Sequence, residues 1–146
     1  MGTIGDLLRA KGGESWSVPP TATVYEALVK MAEKDIGALL ITEEGRLVGI
    51  FSERDYARKC ILRGKASKDT LVAELMTKSV VCVTRRDTLE EAMTLMTSNN
   101  IRHLPVMSND DVIGVITLGD VVKRIISDQN FTIDELENHF FGGYGS

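Results

Sequence analysis

GIFSERD, Gly49 to Asp55, and GVITLGD, Gly114 to Asp120, have one form: glycine, two large apolar residues, a hydroxyl residue, two variable positions, aspartate. The shift from one to the other is 65 (114 − 49), and without a gap it also pairs Glu26-Ala27 with Glu91-Ala92, Val18 with Val83, Thr23 with Thr88, Met31 with Met96, Ile36 with Ile101 and Leu39 with Leu104. A register held over that length marks an internal duplication, which decides the fold before any single element does.

Each copy reads as the same succession of elements. In SVPPTATVYEALVKMAEKD a short extended piece turns at Pro19-Pro20 and enters a helix whose Val24, Ala27, Leu28 and Met31 have helical spacing. In VVCVTRRDTLEEAMTLMTSNN the extended Val80–Val83 precedes Thr88, which with Glu91 fits a capping box for a helix carrying Leu89, Ala92, Met93 and Met96. The strands IGALLIT and IRHLPVM follow, then polar turns at Glu43–Arg46 and Ser108–Asp111, then LVGIF and VIGVIT, which reads as two hairpins. A last helix is expected over Arg54–Leu62 and Gly119–Ser127. Short amphipathic lead-ins, IGDLLRAK and VAELMTK, match at a shift of 68 (72 − 4), so the first copy has three extra residues around Lys11–Trp16.

One such unit has an apolar sheet face too large to leave in water. The expected fold class is therefore α/β (α+β), two pseudo-symmetric strand-helix-strand-strand-helix repeats packed sheet to sheet plus a C-terminal helix. The expected boundaries are 1–67 for repeat 1 with its lead-in helix, 68–130 for repeat 2, and 131–146 for a C-terminal helix begun by Thr132 and carrying Leu136, Phe140 and Phe141.

A formal net charge of −4 argues against a surface built for nucleic acid, whose affinity comes from clustered Lys and Arg. Asp6 and Arg9 interrupt the apolar opening MGTIGDLLRAKGG, which does not read as a secretory signal, and no apolar run reaches a membrane span. Cys60 and Cys82 lack metal-type spacing and read as buried free thiols in a cytoplasmic protein. No metal is expected. No G-x-x-x-x-G-K-[ST] loop or nucleophile paired with a base is present, so catalysis is not expected.

The repeated phrase carries the chemistry. A strand ending in Ser52 or Thr117 and passing into a helix that starts with Asp55 or Asp120 gathers a hydroxyl, unpaired first-turn N–H groups and a carboxylate able to accept from two adjacent hydroxyls. That set suits a ribose phosphate. The same residues equally read as plain helix starts, with Ser52 and Thr117 as N-caps and an acid at the third helical position.

With these phrases and the IRHLPV strand in tandem, the chain resembles the tandem CBS-domain pair, or Bateman module, and more narrowly the small bacterial proteins made of such a pair and little else. The resemblance implies a regulatory module without catalytic activity that binds an adenine nucleotide, AMP, ADP, ATP or NAD, in clefts between the repeats. It implies one site from Ser52, Arg54 and Asp55 with Arg102 and His103, and another from Thr117 and Asp120 with Gly37 and Ala38, the adenine lying against Val18 or Val83. Asp55 and Asp120 would hold ribose hydroxyls. On an alternating strand only one of Arg102 and His103 faces a given cleft, and the Gly37-Ala38 side has no cation. The resemblance also implies a homodimer, a disc of four repeats, acting on an unknown regulated protein. A purely structural dimerisation module with empty clefts and an enzyme acting on nucleotides are the alternatives.

Overall fold

The computed structural model describes residues 2–129. The helix expected from Thr132, with Leu136, Phe140 and Phe141, lies outside the described residues. The described chain divides into two compact units. One, here called the Asp55 unit, takes Glu14–Cys82 and Met107–Ile113; the other, the Asp120 unit, takes the chain up to Gly13, Val83–Val106 and the chain from Gly114.

The chain opens with α1 (Ile4–Lys11), which belongs to the Asp120 unit. The Asp55 unit contains β1 (Ser17–Val18), α2 (Val24–Lys34), β2 (Ala38–Glu43), β3 (Arg46–Ser52), α3 (Glu53–Asp55) and α4 (Val72–Leu75). Its sheet has the order β1-β2-β3, with β1 parallel to β2 and β2 antiparallel to β3. Besides α1, the Asp120 unit contains β4 (Val83–Thr84), α5 (Leu89–Asn99) and α6 (Leu118–Gln129), and β4 begins a second sheet with β5 (His103–Ser108) and β6 (Asp111–Thr117), in the order β4-β5-β6. Two three-stranded sheets with strand, helix, strand, strand, helix in each repeat is the mixed fold that the duplication predicts.

The repeat extends to backbone detail. Thr23 caps α2 by accepting from Glu26 N–H at 3.1 Å while Glu26 accepts from Thr23 N–H at 3.0 Å, and Thr88 and Glu91 cap α5 in the same reciprocal way. Both helices stop on a left-handed residue, Asp35 (φ 53°) and Asn100 (φ 55°). The β2–β3 turn places Glu44 (φ 52°) and Gly45 (φ 80°) in the left-handed region, as a two-residue hairpin whose twist matches its strands requires.

The helices after β3 and β6 differ. α6 is α-helical throughout, whereas α3 gives way to a π-helical stretch, Tyr56–Ile61, closed by Leu62 N–H bonding to Ala57 O at 3.2 Å. Beyond it, Lys65 N–H donates back to Cys60 O at 2.9 Å, and the Cys60 thiol donates out to Lys65 O at 3.4 Å.

The two cores use corresponding residues. Val18, Val24, Ala27, Met31, Leu39, Ile41, Phe51 and Cys60 are buried together in the Asp55 unit, and Val83, Leu89, Ala92, Met96, Leu104, Val106, Ile116 and Ile125 are buried at the equivalent positions of the second repeat. Each fully buried aliphatic or aromatic side chain contributes about 1.5–3 kcal/mol relative to exposure.

Neither core is closed by its own lead-in. Val72 and Leu75 of α4, which precedes the second repeat, are buried in the core of the first, where Val72 N–H bonds to Ala22 O and Val24 N–H to Thr70 O, each at 2.8 Å. In the Asp120 unit the partner is α1 from the start of the chain, with Ile4 N–H on Asp87 O at 2.8 Å and Leu89 N–H on Gly2 O at 3.1 Å. Isolated bridges Thr23–Leu71 and Thr3–Thr88 fix the same two exchanges.

This arrangement explains the glycine that opens each phrase. A Cβ on Gly49 would meet Met76 Sδ at 2.6 Å and the Thr77 carbonyl oxygen at 3.1 Å; one on Gly114 would meet Leu8 Cδ2 at 2.8 Å and Gly13 Cα at 3.5 Å. At Gly49 the obstacle includes backbone that is itself bridged to the strand, since Ile50 N–H bonds to Thr77 O at 3.0 Å and Thr77 N–H to Ile50 O at 2.8 Å. At Gly114 it is mainly the end of a leucine side chain. Gly49→Ala should therefore lower the urea-denaturation free energy by about 1–3 kcal/mol, as overpacking against a fixed wall does, and Gly114→Ala by less. Equal losses at the two positions would contradict this account.

Candidate functional site

Both aspartates of the repeated phrase sit at the third position of a helix and close a reciprocal cap. Ser52 Oγ accepts from Asp55 N–H at 3.2 Å, and Asp55 Oδ2 accepts from Ser52 N–H at 2.9 Å and from Ser52 Oγ–H at 3.0 Å. In the other unit Thr117 Oγ1 accepts from Asp120 N–H at 3.1 Å, and Asp120 Oδ2 accepts from Thr117 N–H at 2.8 Å. The helix-start reading of these residues is thus realised in the geometry, and it fixes the carboxylates in place.

Each carboxylate also has a lysine. Asp55, only 8% exposed, accepts through Oδ1 from Lys59 Nζ at 3.0 Å and from Thr77 Oγ1–H at 3.3 Å. Lys59 reaches it from one turn further along the helix and also donates to Leu75 O at 3.1 Å, in α4. Asp120 Oδ2 accepts from Lys11 Nζ at 2.5 Å, and Lys11 also donates to Val115 O at 2.6 Å. In both units a lysine therefore ties the carboxylate to a lead-in helix, by a carbonyl of that helix in one case and from that helix in the other.

Burial works to raise the pKa of Asp120. The Lys11 hydrogen bond, the Thr117 N–H and the Lys11 charge outweigh it and hold the carboxyl below its ordinary value.

The other residues singled out in the sequence fall around these starts. Ala38 is the register partner of Ser52, and Gly37 O accepts from Glu53 N–H at 3.0 Å, so this pair lies beside the phrase of its own repeat. Arg102 does the same at the second phrase, its carbonyl accepting from Leu118 N–H at 3.0 Å. Arg102 is exposed and His103 half-buried, the alternation expected on a strand. Arg54 is exposed on α3, and Val18 and Val83 are core residues, 8% and 1% exposed.

Three side chains at the carboxylates were not singled out from the sequence: Lys11, Lys59 and Thr77. The Asp55–Lys59 spacing of one helical turn is a signal that could have revealed the second. Lys11 is 109 residues from Asp120 and gives none.

Elsewhere in the Asp55 unit, Arg46, Leu47, Lys78, Val80, Cys82, Met107 and Asp110 line an open cavity of about 360 Å³ that includes none of the residues predicted for nucleotide binding. Both cysteines are free, Cys60 buried and Cys82 half-buried, and burial pushes the Cys82 thiol up. Among the described residues no three of His, Cys, Asp and Glu gather as metal ligands, and no helix is long and apolar enough to cross a membrane.

The duplication is matched at the level of family as well: the CBS domain matches residues 14–61 and again 72–127. The chain belongs to the CBS-domain family. It is 38% identical over 151 aligned residues to CBS domain-containing protein CBSX3, mitochondrial, of Arabidopsis thaliana, covering 97% of this chain and 73% of that one. CBS domain-containing protein YhcV of Bacillus subtilis is 31% identical, over 78% of this chain and 81% of its own. A solved CBS-domain protein from Burkholderia ambifaria MC40-6 superposes with a TM-score of 0.84 at 44% identity, covering 90% of this chain and 98% of that one. The sequence led to a cytoplasmic expectation; the Arabidopsis CBS protein is by its name mitochondrial.

The Lys11–Asp120 pair predicts a pH signature in this CBS pair. A carboxyl whose folded pKa lies below its unfolded value adds stability that is present above the unfolded value and lost as pH falls through the folded one. Wild type should accordingly melt a few degrees above Lys11→Met at about pH 7, and the gap should close toward about pH 3. A gap unchanged across that range in thermal-unfolding curves would show that the pair does not act through ionised Asp120.

Proposed function

We propose that this CBS pair is a regulatory module that binds the adenosine part of an adenine nucleotide at Ser52–Asp55 and at Thr117–Asp120. The observation that carries this reading is the same hydroxyl and carboxylate pair, locked by the same reciprocal hydrogen bonds, at corresponding points of both repeats. A carboxylate held in that way is already oriented. At Asp120 the donors lie on Oδ2, so Oδ1 can accept from the hydroxyls of a ribose, whereas at Asp55, where two donors already lie on each oxygen, ribose hydroxyls would take the place of Thr77 and Lys59 on Oδ1. Proteins of the same fold support the ligand class. A CBS-domain protein from Pyrobaculum aerophilum, at 24% identity and a TM-score of 0.73, is known complexed with AMP. The CBS pair of another, MJ0100, at 23% identity and a TM-score of 0.74, is known with 5′-methylthioadenosine and S-adenosyl-L-methionine.

Adenosine is common to all three ligands, and we take it as the recognised element, with AMP, ADP, ATP and NAD as the nucleotides that present it. The nucleotide acts as a signal and is not turned over. Ligand preference for one arrangement of the chain over another would be read by a regulated protein. Self-association into a homodimer, which light scattering would detect, completes the proposal.

AMP, ATP, NAD and S-adenosylmethionine should be compared in thermal-shift measurements at about 1 mM, because a ligand at about a hundred times its Kd adds ~2.7 kcal/mol of stability. Asp55→Ala and Asp120→Ala should each abolish one binding event in calorimetric titrations and cost about 1 kcal/mol of stability through the lost cap. If none of the four ligands moves the transition, the reading is wrong and the structural dimerisation module takes its place.

A further inference from the structure

The family resemblance implies no cation for the Asp120 site. The fold brings one there from the opposite end of the sequence. Lys11, at the last position of α1, places Nζ at 2.5 Å from Asp120 Oδ2 and 2.6 Å from Val115 O. An ammonium group has three N–H donors, and those two bonds use two of them. The side chain is 34% exposed and that of Asp120 24%, so the pair is open to solvent on one side yet shielded enough for its charge to be felt.

Charge compensation gives this arrangement its meaning. A lone carboxylate at a ribose site attracts hydroxyls but repels the phosphate a few ångströms further along the same ligand. The pair of Asp120 with Lys11 is neutral as a unit, and its third N–H can be donated to an anion.

From this geometry we infer that Lys11 is a specificity-determining residue of the Asp120 site: it supplies the positive charge that lets the site accept adenosine bearing a phosphate in preference to adenosine alone. The inference rests on the proposed adenosine site at Asp120. It does not extend to Asp55, whose side chain is 11% exposed against 24% for Asp120 and whose lysine comes from its own repeat.

The test is calorimetric titration of the full chain with AMP and with adenosine, in an Asp55→Asn background that leaves the Asp120 site as the one observed. Lys11→Met should weaken AMP roughly five- to tenfold while changing adenosine by less than about twofold. Lys11→Arg, which keeps the charge, should restore AMP binding to within about threefold, and the AMP effect should shrink as salt is raised. The same titrations with Asp55 intact, fitted for two binding events, provide a second reading should Asp55→Asn not fold. Equal weakening of AMP and adenosine would overturn the inference by showing that Lys11 only positions Asp120. Tighter binding of both would overturn it by showing that the lysine plugs the site. A parent chain that binds neither ligand sinks the adenosine reading itself, and this inference with it, which is distinguishable from the two preceding results.

Discussion

The close approach of a lead-in segment to the last strand of each sheet is the constraint on which the rest depends. A strand ending in glycine, two apolar residues and a hydroxyl has no side chain at the first of these positions, and Met76 or Leu8 fills that space. Once the segment lies there, its helix can bury Val72 and Leu75, or Ile4 and Leu7, in the adjoining core. The helix that begins after the hydroxyl residue is then within reach of the lead-in, and a lysine can join the two. The glycine that opens the phrase and the aspartate that closes it are in this sense parts of one arrangement.

The capped aspartates show how one residue serves folding and recognition together. An N-cap satisfies amide groups that would otherwise be unpaired at the helix start. The same bonds hold the carboxylate in a fixed orientation, so a ligand need not order it on binding. The helix-start and ligand-site readings of the sequence describe one geometry with and without its partner.

Much of this was legible in the sequence, because the duplication supplied each element twice. Thr88 with Glu91 announced a helix start that the shift repeats at Thr23, the polar turns announced the hairpins, and the constant shift between the copies paired positions such as Leu39 and Leu104 that are buried in the two cores. The different shift of the lead-ins was legible as well, but which repeat each one completes was not. Periodicity identifies an amphipathic helix without saying which sheet its apolar side will cover. The π-helical turn at Tyr56–Ile61 also left no trace, since YARKCIL differs from an ordinary helical stretch by nothing that spacing records. Lys11 escaped notice for the plainest reason: its partner lies at the far end of the sequence, and a surface lysine near two glycines looks like any other.

The exchanged lead-ins also bear on how the molecule is made. During synthesis, α4 follows the first repeat directly, so the core containing Phe51 can close soon after Leu75 has emerged. The core containing Ile116 is different, because α1 is produced ahead of the first repeat and Thr88, the bridge partner of Thr3, appears only after that whole repeat has been made. Closing that loop carries a larger entropic cost, and until it closes the apolar side of α1 has no native partner. The order of the chain thus sets an order of assembly, with the core of the first repeat closed while α1 is still waiting. A fragment ending between the repeats would retain α1 and lack the sheet it covers. The duplication is therefore not divisible at its midpoint, and the smallest length of chain that satisfies both cores runs from α1 through the end of the second repeat.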